Sequence, residues 1–393
     1  MAEVFDNKGV KIIPFYLPQF HTIPENDEWW GEGFTEWTNV KKAKPLFEGH
    51  DQPRIPLNNN YYNLMDDNVK IWQAKLAKEY GIFGFCYYHY WFKGGRQLLE
   101  IPAEQMLKNK EIDIPFCFCW ANENWSKNWD GGNREVIMEQ DYGSQEDWEK
   151  HFQYFVQFFR DERYITVHGK PLLIIYKPEQ IIDLQQMVAY FRKRAKEEGF
   201  PGLCCAFQFP MYYADMYYRG DIFDYRIGFE PVYSRNEEKL GRPGTAKKVE
   251  LLRKFLGENA VSAYRRSRQR KSGGNWGKPQ NLSMYFYDET WKIILNNQWA
   301  EEFLPGAFVD WDNTPRNKHG VVYEGFSIEK FGEYMKRLVK RAEEEKKPMI
   351  FINAWNEWGE GAFLEPDEKY GYQKLEAIKK AKDIGREREN LNQ

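Results

Sequence analysis

Apolar residues along this chain fall into short unbroken runs, separated by longer stretches in which they recur every three or four positions. The runs are Val10 to Phe15, Gly84 to Tyr88, Pro115 to Trp120, Pro171 to Tyr176, Leu203 to Gln208, Ile222 to Phe229, Gly306 to Val309 and Met349 to Asn353. Most are hydrophobic at every position instead of every second one, as a parallel strand buried on both faces requires. Between them, helical spacing relates Val69, Trp72, Leu76 and Tyr80, then Trp148, Phe152, Phe155 and Phe159, then Ile181, Leu184, Val188, Phe191 and Ala195, and last Ile328, Phe331, Met335, Leu338 and Ala342. Each set offers one apolar stripe to a sheet. Ser144 and Asp147 have capping-box spacing ahead of the second helix, and Gly199 is placed to stop the third.

Eight strands alternating with helices, with no linker rich in Pro, Gly or Ser, predict a (β/α)8 barrel in one domain over residues 1–393; a doubly wound open sheet is the alternative. No internal repeat is visible. The stretch 230–291 after the sixth strand is too long for an ordinary connection and predicts an insertion over the barrel mouth.

Composition narrows the class. Hydrophobic residues at 42 % and charged ones at 29 % suit a globular protein, and a net charge of −3 argues against a nucleic-acid partner. The five cysteines are odd in number, and all lie in the strand runs, which fits reduced buried thiols better than a disulfide framework. The N-terminus lacks the pattern of a secretory signal and no apolar run approaches the length of a membrane span, so the expectation is a cytoplasmic protein.

In a barrel of this kind, chemistry sits at the C-terminal ends of the strands. The first strand leads into Tyr16, Gln19 and His21, and the second into Tyr88, His89, Tyr90 and Trp91. The third leads into Trp120, Asn122, Glu123 and Trp125, and the seventh into Asp310, Trp311, Asp312, Asn313 and Arg316. The eighth leads into Trp355, Asn356, Glu357, Trp358 and Glu360. Carboxylates, amides and imidazoles interleaved with Trp and Tyr are suited to sugars, whose faces stack on rings while their hydroxyls meet polar groups. One such cluster alone would read as a polar cap over an aromatic core, and His21 or His89 singly could be a core histidine. Five clusters on one rim favour a carbohydrate substrate.

Cleaving a glycoside takes an acid for the departing oxygen and a second carboxylate, about 5–5.5 Å away in retaining enzymes and about 6.5–9.5 Å in inverting ones. Glu357 and Glu360 are three residues apart, so a helical turn would place them roughly 5–6 Å apart at Cβ. Like charges this close, walled by Trp355 and Trp358, should lift at least one pKa. Glu123 is a rival for the acid. The histidines are scattered without zinc-like spacing, and no Gly-rich phosphate loop follows the first strand, so neither metal nor cofactor is expected. Asp310 and Asp312 make a DxD pattern that could hold a divalent ion in a sugar-nucleotide transferase. The basic run Tyr264 to Lys271, with charges from 265 to 271, reads first as a solvated face and second as a contact for an acidic substrate.

The motifs FYLPQFH, NDEWWGEGFTEWTNV, GFCYYHYWF, PFCFCWANENW, DWDNTPR and INAWNEWGEGAFLEPD together resemble the WbsX-type proteins of polysaccharide gene clusters, which are similar to glycoside hydrolase family 99. The resemblance runs from about Ile12 to Tyr372. It implies a (β/α)8 barrel and, from family 99, a metal-independent retaining α-mannoside hydrolase working through a 1,2-anhydro sugar. In that scheme one glutamate takes the proton of the sugar 2-OH and another protonates the leaving oxygen. The family motif N-E-W-H-E-G maps onto Asn356 to Gly361, implying Glu357 as base and Glu360 as acid, with Gly359 standing where the hydrolases have histidine. Two other functions remain open: a glycosyltransferase of O-antigen, lipopolysaccharide or capsule biosynthesis, and a non-catalytic glycan-binding barrel.

Overall fold

A computed structural model describes residues 1–5, 9–126, 136–209, 222–235, 282–317 and 319–391. Its centre is a ring of eight parallel strands: β1 (Lys11–Tyr16), β2 (Phe85–Trp91), β3 (Phe116–Trp120), β4 (Lys170–Ile175), β5 (Cys204–Phe209), β6 (Tyr225–Gly228), β7 (Phe303–Leu304 and Gly306–Phe308) and β8 (Met349–Asn353). Each strand pairs with its sequence neighbours, and β8 returns to β1 through Met349 opposite Lys11 and Ile352 opposite Pro14. The sheet is a (β/α)8 barrel.

The ring closes at β7, which is built in two pieces. Phe303–Leu304 bonds to β6, Gly306–Phe308 bonds to β8, and Pro305 between them has no N–H to give but accepts from Phe351 N–H at 3.1 Å. A Cβ on Gly306 would lie 1.7 Å from the carbonyl oxygen of Gly228, so the two strands can approach this closely only with glycine there. The sequence run from Gly306 to Val309 marks only the second piece, because the first is two residues long.

Helices form the outer layer: α1 (Pro24–Trp30), α2 (Glu36–Lys42), α3 (Asp67–Glu79), α4 (Ile101–Lys108), α5 (Gln145–Phe159), α6 (Leu184–Glu197), α7 (Tyr287–Asn296), α8 (Ile328–Glu344) and α9 (Gln373–Leu391). The four helical stripes expected from spacing lie in α3, α5, α6 and α8. The capping box at Ser144 and Asp147 is formed, and Gly199, with φ +90°, follows the end of α6. The short α1 and α2 sit in the long connection between β1 and α3, where the sequence showed no periodic signal. Most of the expected insertion at 230–291, with the whole basic run 265–271, lies outside the described residues; at its far end α7 begins.

Side chains alternate along each strand, and the alternation decides what the barrel mouth contains. On β2, Tyr88 points inward and stacks on Phe15 of β1 at 5.6 Å. Its neighbours Tyr87, His89 and Trp91 point outward to the helices, with Tyr87 against Tyr16 and His89 and Trp91 against His151 of α5. All five cysteines are free and buried.

Candidate active site

After β8 the chain makes a two-residue antiparallel ladder, Asn356–Glu357 with Ala362–Phe363, around a single 3-10 turn of Trp358–Glu360 that ends in left-handed Gly361. This turn carries both expected glutamates. It is pinned from two sides: Asp312 N–H donates to the Glu360 carbonyl at 2.8 Å, and Arg54 Nη1 donates to the Gly361 carbonyl at 2.8 Å. Asn356, expected as a sugar contact, instead clasps the backbone of Leu17, accepting from its N–H at 2.7 Å and donating to its carbonyl at 2.9 Å. It fastens the end of β8 to the end of β1.

Arg316, from the loop after β7, is the hub. Its Nη2 donates to Glu357 Oε2, its Nη1 reaches Glu360 Oε1 and its Nε donates to Glu36 Oε1, each at 2.8 Å. Glu36 is the first residue of α2, is fully buried, and takes its backbone hydrogen bond from its own N–H to the Gln19 carbonyl at 3.1 Å. Burial pushes the Glu360 carboxyl up to about 7; Arg316 pulls against that rise, and Glu357 and Glu36 add to it. Burial also raises Glu36, with Arg316 opposing.

Trp355 and Trp358 lie behind the turn. Trp358 stacks on Phe363 at 3.7 Å and donates its indole N–H to Glu365 at 2.7 Å, while Trp355 packs against Phe85 in the core. Glu365 also accepts from Tyr62 and Gln73, and burial lifts it to about 7 despite these donors. A separate cavity of about 460 Å³ opens on the far side of Trp358 and Glu365, lined by Tyr61, Trp72 and Tyr372, and reaches neither Glu357 nor Glu360.

Several other expected sugar contacts also face away. Tyr16 donates to Gln73 of α3 at 2.7 Å. His89 meets His151 nitrogen to nitrogen at 2.9 Å among aromatic rings, and burial depresses it to about 3. Trp91 stacks on the same His151, and Trp120 donates to the Trp91 carbonyl. His21 is buried, which lowers it to about 4. Asn122 spans the backbone of Lys177, accepting from its N–H and donating to its carbonyl, both at 2.7 Å. Outward parity or backbone duty removes Tyr16, His89, Trp91, Trp120 and Asn122 from the mouth.

What remains at the mouth is a smaller set. Tyr88 and Tyr90 face Glu357, and Tyr176 at the end of β4 faces Glu123 and Glu360. Glu123 is ion-paired with Lys177. Half-buried Trp125 meets Trp29 of α1 and Tyr90 edge to face, keeping an aromatic rim. Gln208 donates to the Tyr88 hydroxyl at 3.3 Å.

Asp310 and Asp312 are engaged by side chains. Asp310 holds Arg54 at 2.7 Å, with burial raising its pKa against that pair. His50 Nδ1 accepts from Leu46 N–H, so its Nε2 carries the proton that it gives to Asp312 at 2.8 Å. Gln52 and Thr314 donate to the same carboxylate, and with Arg54 they outweigh burial and hold Asp312 down to about 2. Trp311 is buried beside them. No group of three or more His, Cys, Asp or Glu side chains with metal-binding geometry occurs among the described residues.

Glu36, Arg54 and Tyr176 were not singled out from sequence. Glu36 does stand inside the motif NDEWWGEGFTEWTNV, but its partner is 280 positions away and no periodicity links them.

Among solved structures, the chain is similar to the GH99 endo-alpha-mannosidase of Bacteroides thetaiotaomicron, at 14 % identity and TM-score 0.52 over 96 % of this chain and 98 % of the other. A structure of the same enzyme with bis-tris-propane gives 13 %, 0.50, 97 % and 98 %. A "glycoside hydrolase-like protein" gives 13 % identity and TM-score 0.54 over 95 % and 94 %. At this identity the likeness concerns the fold. In sequence, the chain is 34 % identical over 375 residues to uncharacterized protein WxcX of Xanthomonas campestris pv. campestris, in two strains, covering 94 % of this chain and 49 % of the relative. It thus spans about half the length of the curated relatives it matches. The family model described as Glycosyltransferase WbsX matches residues 12–378. The chain belongs to the WbsX family.

Proposed function

We propose that this chain is a glycoside hydrolase of an α-linked bacterial polysaccharide or oligosaccharide, with Glu360 as general acid and Glu357 as base. The observation that carries the reading is the turn after β8, where two carboxylates three residues apart share Arg316 and one of them keeps its proton to about pH 7. In the retaining route, Glu357 takes the proton of the 2-OH and O2 closes on C1. The bond from C1 to the departing oxygen breaks, and that oxygen takes the proton of Glu360. Water, giving a proton to Glu360, then opens the anhydro ring at C1, and O2 takes back the proton held by Glu357. Ion pairing of Glu123 with Lys177 supports Glu360 over Glu123 as the acid.

The mannosidase fold is consistent with this reading, and the rim of Trp125, Trp29 and Tyr90 suits a sugar face. Mannose itself is not implied, since Gly359 departs from the hydrolase motif. The family's description as glycosyltransferases favours a second reading, transfer from a sugar nucleotide during polysaccharide assembly. A panel of defined oligosaccharides, with products followed by NMR, tests the first: release of a reducing sugar that appears first as the α-anomer is expected. Turnover only with a sugar nucleotide present would establish transfer instead.

A further inference from the structure

We propose that Glu36 is a third working carboxylate of this site, a positioning residue whose charge offsets the pull of Arg316 on Glu360, and that residue 359 is glycine in order to seat it. The inference rests on the reading of Glu360 as the acid. Its geometric basis is the space at 359: a Cβ there would lie 1.8 Å from Glu36 Oε1 and 2.7 Å from Arg316 Nε. Those two atoms form the 2.8 Å ion pair itself. The place where the mannosidase motif carries an imidazole is therefore filled here by a carboxylate and a guanidinium reaching in from α2 and from the loop after β7. Glu36 Oε2 is buried without a hydrogen-bond partner among the described residues, so nothing but Arg316 holds this carboxyl in place.

Charge explains what the pair is for. One guanidinium touching only Glu357 and Glu360 would favour the anion of both and strip the acid of its proton. A third carboxylate on Nε offsets that pull. The other charged groups around the turn are matched among themselves. Glu123 is paired with Lys177, and Arg54, behind the Gly361 carbonyl, is paired with Asp310 and faces Asp312. Tyr88, Tyr90 and Tyr176 are raised phenols, neutral at pH 7. Glu36 is left as the group that sets the balance between Arg316 and the acid, and its contribution to Glu360 is upward.

The test needs no substrate. In the full chain labelled with 13C at the glutamate carboxyls, and with Glu360 assigned by its loss in Glu360→Gln, the Glu360 signal is expected to titrate near pH 7. Glu36→Gln should lower that midpoint by about one pH unit or more, because the charge opposing Arg316 is gone. Gly359→Ala should lower it too, by expelling Glu36 with its charge intact, and Glu36→Asp should restore part of the shift. In a Glu36→Ala background the carboxylate is gone and Gly359→Ala keeps only its 2.7 Å contact with Arg316 Nε, so it should lower the midpoint no further. An unchanged midpoint in folded Glu36→Gln, or an unchanged one in Gly359→Ala, overturns the proposal; if Glu36→Gln does not fold, Gly359→Ala decides alone. Failure to turn over any glycan would count against the hydrolase reading and leave this titration standing. Where a substrate is found, the alkaline limb of kcat/KM should move with the NMR midpoint.

Discussion

Glu360 and Glu357 share one guanidinium but differ in what they can donate. Glu360, lifted to about 7, is protonated at mildly acidic pH, and activity should fall as pH rises through that value. Glu360→Gln should cost roughly 10²–10⁴-fold on substrates with poor leaving groups and far less on activated aryl glycosides, while Glu357→Gln should lose both. Equal loss on the two substrate types for Glu360→Gln would remove it as acid, and leaving-group dependence in Glu123→Gln would move that role to β3. The pair itself was legible in the sequence as Glu-x-x-Glu at a strand end. The aromatic residues were not assignable there, because a strand buried on both faces is apolar throughout and hides which side chains point inward. Tyr88 and Tyr90 face the mouth while His89 and Trp91, alternating with them, face α5, a distinction of parity alone.

At the level of elements, helices with one apolar stripe were readable, and those held by tertiary contacts were not. α4 shows how such a short helix is kept. Its last carbonyls would lack partners, and Arg163 supplies them: its Nη2 donates to the Met106 carbonyl at 2.8 Å and its Nη1 to that of Asn109, which caps the helix, at 3.1 Å. Asp161 holds the same guanidinium in place with hydrogen bonds of 2.9 and 2.8 Å. Removing one partner of a buried pair costs about 3–5 kcal/mol, so Arg163→Met should lower the denaturant midpoint by that equivalent. Burial would raise Asp161, but Arg163 and Lys110 outweigh it and hold the folded carboxyl at about 2, below the ordinary aspartate value of 3.8. Its stabilising contribution is therefore present above about pH 4 and lost as pH falls toward 2, a loss that acid denaturation should show in the wild type and miss in Asp161→Asn.

For the whole molecule, hydrolysis and transfer make opposite demands on added reagents. Asp310 and Asp312 already hold Arg54, His50, Gln52 and Thr314, so displacing them toward a divalent ion would break a buried network. Turnover of a glycan should accordingly be indifferent to EDTA, and calorimetry should detect no binding of a nucleoside diphosphate with or without Mg²⁺. A nucleotide Kd in the micromolar range that depends on the metal would favour transfer. The eight-strand alternation made the barrel readable from sequence and put both ends of the chain on one rim, but no pattern along the chain could show that Glu36 meets Glu357 and Glu360 on one guanidinium.

That gathering has a consequence for how the protein comes into being. Glu36, His50, Gln52 and Arg54 follow β1, whereas Asp310, Arg316, Glu357 and Glu360 follow β7 and β8, and Asn356 clasps Leu17 across 339 positions. The site thus straddles the seam where the last strand of the ring meets the first. During synthesis Glu36 is made long before Glu357 and Glu360, and the three carboxylates can gather on Arg316 only once the segment bearing β8 has followed. Among the contacts of this fold, those at the chemical centre have some of the longest loops to close, so the site is completed only when β8 joins β1.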